Sequence, residues 1–227
     1  MMDNKKDFLL FAKDKMNIPT TTMEDKMNYE FKNFVMPYIL EERKLNVTSL
    51  DVYSRLLLDR IIFFSGEVDQ VSCNTMIAQL LYLSSVDDRD INIYINSQGG
   101  SVIDGLALID TMNFVKCDIS TTCIGMAASM GAVLLSCGKE GKRFVLPHSR
   151  VMIHSVSSGF KGHTPDIKIE MEQTIRCQND IYNILAKNTK KTFEEIEQLC
   201  DRDNWFIGEE AIELGVADKV ILDQKLS

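Results

Sequence analysis

Two short segments rich in small residues carry the groups best suited to chemistry. SQGGS covers residues 97–101 and GMAASMG covers residues 125–131. Each follows a predicted strand and opens a predicted helix, where free backbone N–H groups can hold a phosphate or a developing oxyanion. Neither phosphate motif, G-x-G-x-x-G or G-x-x-x-x-G-K-[ST], is present. Taken alone, the first segment is therefore better explained as a tight turn.

Ser129, in the second segment, is the candidate nucleophile. Its small neighbours leave room for a substrate carbonyl, but the spacing is not G-x-S-x-G, and a serine at a helix start is usually an N-cap. A serine nucleophile also needs a base. His154 fits best because it ends the apolar strand RVMI, whereas His148 and His163 fall in predicted loops. A buried structural histidine is the alternative interpretation of His154.

The carboxylate that would orient this histidine is harder to choose, because the chain has 33 acidic residues. DRDN, at residues 201–204, lies between two predicted helices and just before an apolar pair. A half-buried carboxylate there could hold the imidazole tautomer. Both Asp201 and Asp203 qualify, and both could instead cap a helix. No metal site is predicted, since the sequence has no H-E-x-x-H, no clustered Cys and His, and no EF-hand spacing.

The composition predicts one α/β domain of an ordinary globular protein. The chain has 227 residues, of which 45% are apolar and 26% charged, and this balance excludes a disordered class. A net charge of −8 argues against nucleic-acid binding. Neither a membrane span nor a signal peptide is predicted, because the apolar runs are too short. Six cysteines outside any C-x-x-C pair indicate packed free thiols and a cytoplasmic location.

Strand-like and helix-like segments alternate from Ser49 onward. The predicted strands include IIFFS, DINIYIN, DISTTCI and RVMIHSV, and a helix with Asn74 as its N-cap lies between the first two. Thr164, Pro165 and Asp166 open a long helix in the order that a helix N-terminus prefers. The alternation predicts right-handed crossover units with helices packed on the faces of a sheet.

Several widely spaced segments together resemble the Clp protease proteolytic subunit, along nearly the whole stretch from Asp51 to Ile221. The matching segments are DVYSRLLLDRIIFFSGEV, MIAQLLYL, INIYINSQGGSV, IDTMNF, CIGMAASMGAVLL, GKRFVLPHSRVMIH and DRDNWFIGEEAIELGVADKVI. The resemblance implies an α/β, crotonase-like spiral of repeated strand–helix units, with a long protruding handle helix that begins at Pro165. Residues 1–48 would form an N-terminal extension and axial-pore segment, and residues 49–227 the catalytic domain.

The resemblance also implies roles for individual residues. Ser129 would be the nucleophile and His154 the base, with Asp203, rather than Asp201, as the acid of a serine-protease triad. The other implied roles are an oxyanion hole made by the backbone N–H groups of Gly100 and Met130, a contact between rings at Arg202, and ATPase docking at Tyr94, Phe114 and Leu146.

The function implied by the resemblance is that of an ATP-dependent serine endopeptidase subunit. Two stacked seven-membered rings would enclose the active sites, and an AAA+ Clp ATPase would feed unfolded polypeptide into the chamber. This subunit would need no cofactor, because the partner ATPase uses the ATP. Two alternatives remain, a non-catalytic scaffold subunit of the same rings and an acyl-CoA enzyme of the crotonase group.

Three positions, in two segments, depart from the family pattern. Gln98 stands where the family usually has proline, which frees φ and is expected to loosen the segment at residues 97–101. Ser155 and Val156 replace the usual Gln-Pro pair after the base, in the segment expected to guide extended substrate. Both departures bear on cleavage preference, while the three predicted triad residues are present.

Overall fold

The computed structural model describes residues 38–43 and 46–222, with side chains described from residue 50 onward. The chain divides into two compact units, residues 1–55 and residues 56–227. Among the helices of the described part, none combines the length and the apolar content needed to cross a membrane. The domain boundary placed after residue 48 stays a prediction.

The described part of the first unit is a short hairpin followed by the start of a helix. Strands β1 (Tyr38–Arg43) and β2 (Asn46–Asp51) pair antiparallel. Helix α1 (Val52–Leu58) follows at once. The Asp51 carboxylate accepts a hydrogen bond from the Ser54 N–H at 2.9 Å, which satisfies a backbone donor at the beginning of this helix.

The second unit alternates strands and helices. Its strands are β3 (Ile61–Val68), β4 (Ile91–Gly100), β5 (Ile119–Ala128), β6 (Arg143–Val145), β7 (Arg150–Ile153), β8 (Asn204–Ile207) and β9 (Lys219–Val220). Its helices are α2 (Gln70–Val86), α3 (Val102–Phe114), α4 (Met130–Ser136), α5 (Thr164–Thr189), α6 (Phe193–Leu199) and α7 (Glu209–Leu214).

A parallel sheet organises this unit, with strands in the order β3-β4-β5-β6-β9. Helices α2, α3 and α4 each connect one strand to its parallel neighbour, as parallel pairing requires. Strand β5 changes partner along its length, because residues 121–123 pair with β6 and residues 126–128 pair with β7. Antiparallel β8 extends the β7 branch. The predicted α/β spiral of strand–helix units is confirmed.

Two segments that were predicted as turns are instead the ends of strands. Strand β4 continues through Gly100 and β5 continues through Ala128, each after a shift of register. Beyond a shift where β4 has one extra residue, Glu67 pairs with Gly99 and Val68 pairs with Gly100. The glycine pair is therefore held by a neighbouring strand, and local composition could not reveal that long-range pairing.

Helix α2 begins earlier than the sequence predicted. Its N-cap is Asp69, whose carboxylate accepts from the Ser72 N–H at 2.7 Å, while the Ser72 hydroxyl accepts from the Asp69 N–H at 3.0 Å. Asn74, predicted as the N-cap, is an exposed residue inside the helix. The prediction was wrong because this capping box uses serine where Glu or Gln is the usual sequence signal.

One apolar core lies in the second unit, and α4 is its most buried helix. All seven residues of α4 are buried. Ile91, Ile93 and Ile95 of β4 are at most 1% exposed. Burial of each such aliphatic side chain stabilises the folded state by about 1.5–3 kcal/mol. Because α4 is enclosed on every side, the residue at its N-terminus, Ser129, has one well-defined position.

Helix α5 is exposed along its first half and buried along its second. It begins with Thr164 and Pro165 as predicted. The exposed apolar residues of its first half are Ile169, Met171 and Ile175, and the buried residues of its second half are Cys177, Ile181, Tyr182, Leu185 and Thr189. The exposed half is the predicted handle.

The six cysteines all lie within the described residues and all are free. Five of them are buried. Burial raises the pKa of Cys123 to about 11 and that of Cys200 to about 12. Such thiols stay protonated at neutral pH and are poor nucleophiles. The prediction of packed free thiols is confirmed.

A buried ion pair joins strand β6 to the loop before β9. Arg143 has a side chain only 7% exposed and donates from Nε and Nη2 to the Asp218 carboxylate at 3.0 and 2.6 Å. Its Nη1 also donates to the Asn188 carbonyl of α5 at 2.9 Å. Burial alone would raise the pKa of Asp218, but the hydrogen bonds and charge of Arg143 hold that pKa below its ordinary value.

We expect Asp218→Asn to lower the free energy of unfolding by about 3 kcal/mol at neutral pH, because Arg143 would keep its charge without a partner. A carboxyl with a lowered pKa stabilises the fold fully above its ordinary pKa of 3.8, and that stabilisation is lost as pH falls through the folded-state pKa. Denaturant titrations should therefore show the full difference in the free energy of unfolding between variant and wild type at neutral pH. Below pH 3.8 this difference should shrink.

The control for this prediction is Asp201→Asn. The Asp201 carboxylate lies 3.6 Å from the guanidinium of Arg202, and both side chains are largely exposed. Its removal should change the free energy of unfolding by less than about 0.5 kcal/mol. Equal losses in the two variants would contradict the importance assigned to the buried pair.

Candidate active site

Ser129 has a strained backbone between β5 and α4. Its φ of 53° and ψ of −124° are rarely adopted by residues with a side chain and cost on the order of 1–3 kcal/mol. Gly208, which begins α7 with a φ of 51° and ψ of −112°, adopts nearly the same conformation without a Cβ. The Ser129 N–H donates to the Met152 carbonyl of β7 at 2.8 Å. The Ser129 hydroxyl does not cap α4, so it is available for another partner.

That partner is His154, which lies beside Ser129 because their strands are in register. Ala128 of β5 pairs with Met152 of β7, so Ser129 directly follows the last pair between these strands and His154 follows it by two residues. The Nε2 of His154 lies 2.9 Å from the Ser129 Oγ, a distance suited to proton transfer. The imidazole is 27% exposed, so His154 faces the cleft and is not a buried core histidine.

Asp203 completes a chain of three polar side chains. Ile153 of β7 pairs antiparallel with Asn204 of β8, which brings the residue after Ile153 next to the residue before Asn204. The Nδ1 of His154 consequently lies 3.1 Å from the Asp203 Oδ1. The structure thus joins a hydroxyl, an imidazole and a carboxylate in series.

The carboxylate of Asp203 is more exposed than the sequence predicted. Its side chain is 64% exposed, whereas a half-buried position was expected. The reason is that the loop between α6 and β8 lies at the surface of this chain. Asp201 contacts Arg202 instead of the imidazole. Because water screens an exposed charge, we expect Asp203 to act mainly through its hydrogen bond and less through its field.

The glycine pair at the end of β4 approaches Ser129 closely. A Cβ on Gly99 would lie 2.6 Å from the Ser129 Cβ and 2.6 Å from the Ala128 carbonyl oxygen. A Cβ on Gly100 would lie 2.3 Å from the Val68 carbonyl oxygen. The φ values of Gly99 and Gly100, +91° and +152°, also favour glycine. The β4 backbone can therefore reach the serine only because neither residue has a side chain.

For the peptidase that the resemblance implies, we expect Gly99→Ala to lower kcat for a short peptide by about 10²–10³-fold, because the new methyl group displaces Ser129 from its hydrogen bonds. The matched control is Gly141→Ala. Gly141 has a φ of +86°, but a Cβ there meets nothing within 4 Å. Both variants place a Cβ on a residue with a positive φ, but only in Gly99→Ala does that Cβ collide with neighbouring atoms. Peptide hydrolysis measures the difference, and equal activities would show that the close approach does not matter.

A cavity of about 70 Å³ opens at Ser129 and His154. Gly100 and Met130 lie in its wall, as does the segment after the histidine, residues 155–157. The remaining lining residues are apolar: Val102, Val133, Ile153, Ile181 and Leu185. The cavity can therefore take an apolar side chain next to the serine hydroxyl.

The sequence did not predict that α5 contributes to this cleft. Ile181 and Leu185 are four residues apart on one helical face, a spacing that could have indicated a shared wall. Gln178, almost one turn earlier, accepts a hydrogen bond from the Val156 N–H at 3.3 Å. A proline at position 156, usual in the family, has no N–H to donate. This contact between α5 and the segment after His154 therefore depends on a departure from the family pattern.

The other residues singled out by the resemblance lie outside the cavity. Arg202 is 91% exposed in the loop before β8. Phe114, the last residue of α3, is 79% exposed. Tyr94 in β4 and Leu146 just after β6 are partly buried. Their roles in ring contact and ATPase docking stay predictions.

Comparison with known proteins identifies the family. Residues 43–224 match the family model described as Clp protease. Proteins named ATP-dependent Clp protease proteolytic subunit include one from Bacteroides thetaiotaomicron, 47% identical over 217 residues that cover 95% of this chain and 98% of the relative. Another, from Porphyromonas gingivalis, is 43% identical over 216 residues that cover 95% and 97% of the two chains. The chain belongs to the Clp protease family and is a Clp-type peptidase.

Proposed function

We propose that this Clp-type peptidase is a serine endopeptidase with Ser129, His154 and Asp203 as its catalytic triad. One observation carries the proposal: the imidazole lies between the other two groups, 2.9 Å from the hydroxyl oxygen and 3.1 Å from the carboxylate oxygen. Serine proteases use this series of groups. The strained backbone of Ser129 supports the proposal, because such strain concentrates at functional sites.

In the first chemical step, the His154 Nε2 removes the proton from the Ser129 hydroxyl as its oxygen attacks the carbonyl carbon of the substrate. The carbonyl π electrons move to oxygen, and a tetrahedral oxyanion forms. Asp203 accepts a hydrogen bond from the Nδ1–H of His154. That bond keeps the lone pair of the imidazole on Nε2, facing the serine.

The backbone N–H groups of Gly100 and Met130 would bind the oxyanion. Both residues lie in the wall of the cavity at Ser129, and one such donor is worth about 3–4 kcal/mol in comparable sites. The protonated His154 then gives its proton to the leaving amine as the C–N bond breaks, which leaves an acyl group on Ser129. Water, deprotonated by the same imidazole, releases the acyl group and restores the hydroxyl.

We further propose that the chain assembles into two stacked seven-membered rings and receives unfolded polypeptide from an AAA+ Clp ATPase. Ile169, Met171 and Ile175 support the assembly, because they expose 66%, 52% and 46% of their surface on the first half of α5, where a neighbouring subunit would cover them. The names of the relatives support an ATP-dependent partner. On this proposal the subunit uses no cofactor of its own. The free buried thiols support a reducing compartment, the cytoplasm.

The contact between Ser129 and His154 favours the peptidase over both alternatives. A scaffold subunit of the same rings would have no use for an activated hydroxyl. An acyl-CoA enzyme of the crotonase group would use paired N–H donors to stabilise an enolate but would not need the serine or the histidine. The three functions therefore differ in the reactivity expected of Ser129.

The experiment that tests the proposal treats the purified protein with a fluorophosphonate and locates the adduct by peptide mass spectrometry. We expect one adduct, on Ser129, because only an activated serine reacts. The denatured protein serves as the control and should not react. Absence of an adduct on the assembled protein, both alone and with a Clp ATPase, would overturn the proposal in favour of a scaffold or an acyl-CoA enzyme.

A further inference from the structure

We propose that Ser97 is a positioning residue for both backbone donors of the oxyanion hole, an inference that rests on the proposed function. Ser97 lies in β4 just before the glycine pair and is 1% exposed. It does not line the cavity at Ser129. Its influence on the reaction would therefore pass through the backbone that it holds.

The Ser97 hydroxyl links two parallel strands at a shift in their register. Just after the last pair between β3 and β4, the Ser101 N–H donates directly to the Val68 carbonyl at 2.7 Å. Two residues earlier on both strands, the Gly99 N–H and the Gly66 carbonyl occupy the equivalent positions. The register shifts just before this point, because β4 has two residues, 97 and 98, opposite Gly66 of β3, and the Ser97 Oγ bridges the two groups.

The bridge consists of two hydrogen bonds. The Ser97 hydroxyl donates to the Gly66 carbonyl at 2.5 Å and accepts from the Gly99 N–H at 3.1 Å. It therefore fixes the β4 backbone immediately before the Gly100 N–H. Gln98 has no ring to restrict φ at the intervening position. The hydroxyl bridge is thus a restraint that keeps this segment ordered despite the loss of proline.

The backbone of Ser97 also packs against the helix that carries the second donor. A Cβ on Gly131 would lie 3.0 Å from the Ser97 carbonyl oxygen and 3.4 Å from the Ser97 Cβ. Gly131 is in the first turn of α4, next to Met130. Ser97 therefore contacts the backbone beside both donors, Gly100 and Met130. A shift of either donor weakens a hydrogen bond aimed at the oxyanion.

The test compares Ser97→Ala with Ser149→Ala in the assembled protein. Ser149 is 2% exposed and its hydroxyl donates to the Cys123 carbonyl at 2.8 Å, so it is a buried serine with a similar bond outside the cleft. Each variant is titrated to completion with a fluorophosphonate, and kcat is expressed per active site. A merely structural role would reduce the number of active sites without changing kcat per site.

We expect Ser97→Ala to lower kcat per site by about 10- to 100-fold and to change KM by less than about twofold. Binding of a peptide boronate, which forms a tetrahedral adduct on the serine, should weaken by a similar factor. Ser149→Ala should leave kcat per site and boronate affinity unchanged. A loss in Ser97→Ala that is explained entirely by fewer titratable sites would overturn the inference.

A second pair of variants covers the case in which Ser97→Ala does not fold. Threonine and valine have nearly the same shape, and only threonine keeps the hydroxyl. We expect Ser97→Thr to retain at least about tenfold more kcat per site than Ser97→Val. Equal values in this pair would overturn the inference and leave the proposed function intact. A wild-type protein without a titratable Ser129 would instead overturn the proposed function.

Discussion

Replacement of Ser129 by alanine is expected to reduce peptide hydrolysis by a factor on the order of 10⁶, to the background rate. The variant loses the oxygen that attacks the carbonyl. His154 would then have only water to activate, in a cleft shaped around a hydroxyl at a fixed position. Hydrolysis of a short fluorogenic peptide by the assembled protein measures the effect, and thermal unfolding shows whether the variant is folded.

The control for this variant is Ser158→Ala. Ser158 is exposed and lies outside the cavity lining, so its removal should leave the rate unchanged. If Ser129→Ala retained a rate within about tenfold of wild type, Ser129 could not be the nucleophile, because the group that forms the acyl intermediate has no substitute.

Replacement of Asp203 by asparagine is expected to lower kcat by about 10³–10⁴-fold with little change in KM. The amide of asparagine donates to Nδ1 of His154, so the imidazole proton moves to Nε2 and the lone pair no longer faces Ser129. The expected loss in kcat is equal to or slightly smaller than the loss on replacing a buried triad acid. The Asp203 side chain is 64% exposed, so water can partly replace its hydrogen bond to His154. Steady-state kinetics near neutral pH measure kcat and KM separately.

Asp201→Asn makes the same change of charge in the same loop. Asp201 contacts Arg202 and not the imidazole, so this variant should keep nearly the full kcat. Similar losses in the two variants would mean that the negative charge of the loop, and not the hydrogen bond from Asp203, supports the reaction.

The order of strands and helices could be predicted because local sequence patterns determine it. Apolar runs and the Thr164–Pro165 helix start are short-range signals, and the structure follows them. The ends of β4 and β5 could not be predicted in this way. Their glycine and alanine residues disfavour strands locally, but hydrogen bonds from β3 and β7 extend the strands through Gly100 and Ala128.

In the candidate site, too, features set by local sequence could be predicted, and features set by strand pairing could not. The residue types around Ser129 suggested a nucleophile, and the position of His154 after an apolar strand suggested a base. Choosing between Asp201 and Asp203 needed the pairing of Ile153 with Asn204, which local sequence does not contain and which only the family resemblance could supply. The bridge made by Ser97 was missed for a similar reason, since its partner Gly66 lies on another strand.

The layout of the site on neighbouring strands has a consequence for how this protein can evolve. Ala128 pairs with Met152, and Met152 pairs in turn with Trp205. Insertion or deletion of one residue in β7 or β8 would turn every following side chain to the opposite face. The exposed segment at residues 158–163 can tolerate changes of length. We therefore expect a change of length in either of these two short strands to disrupt the site, as a change of one of the three side chains does.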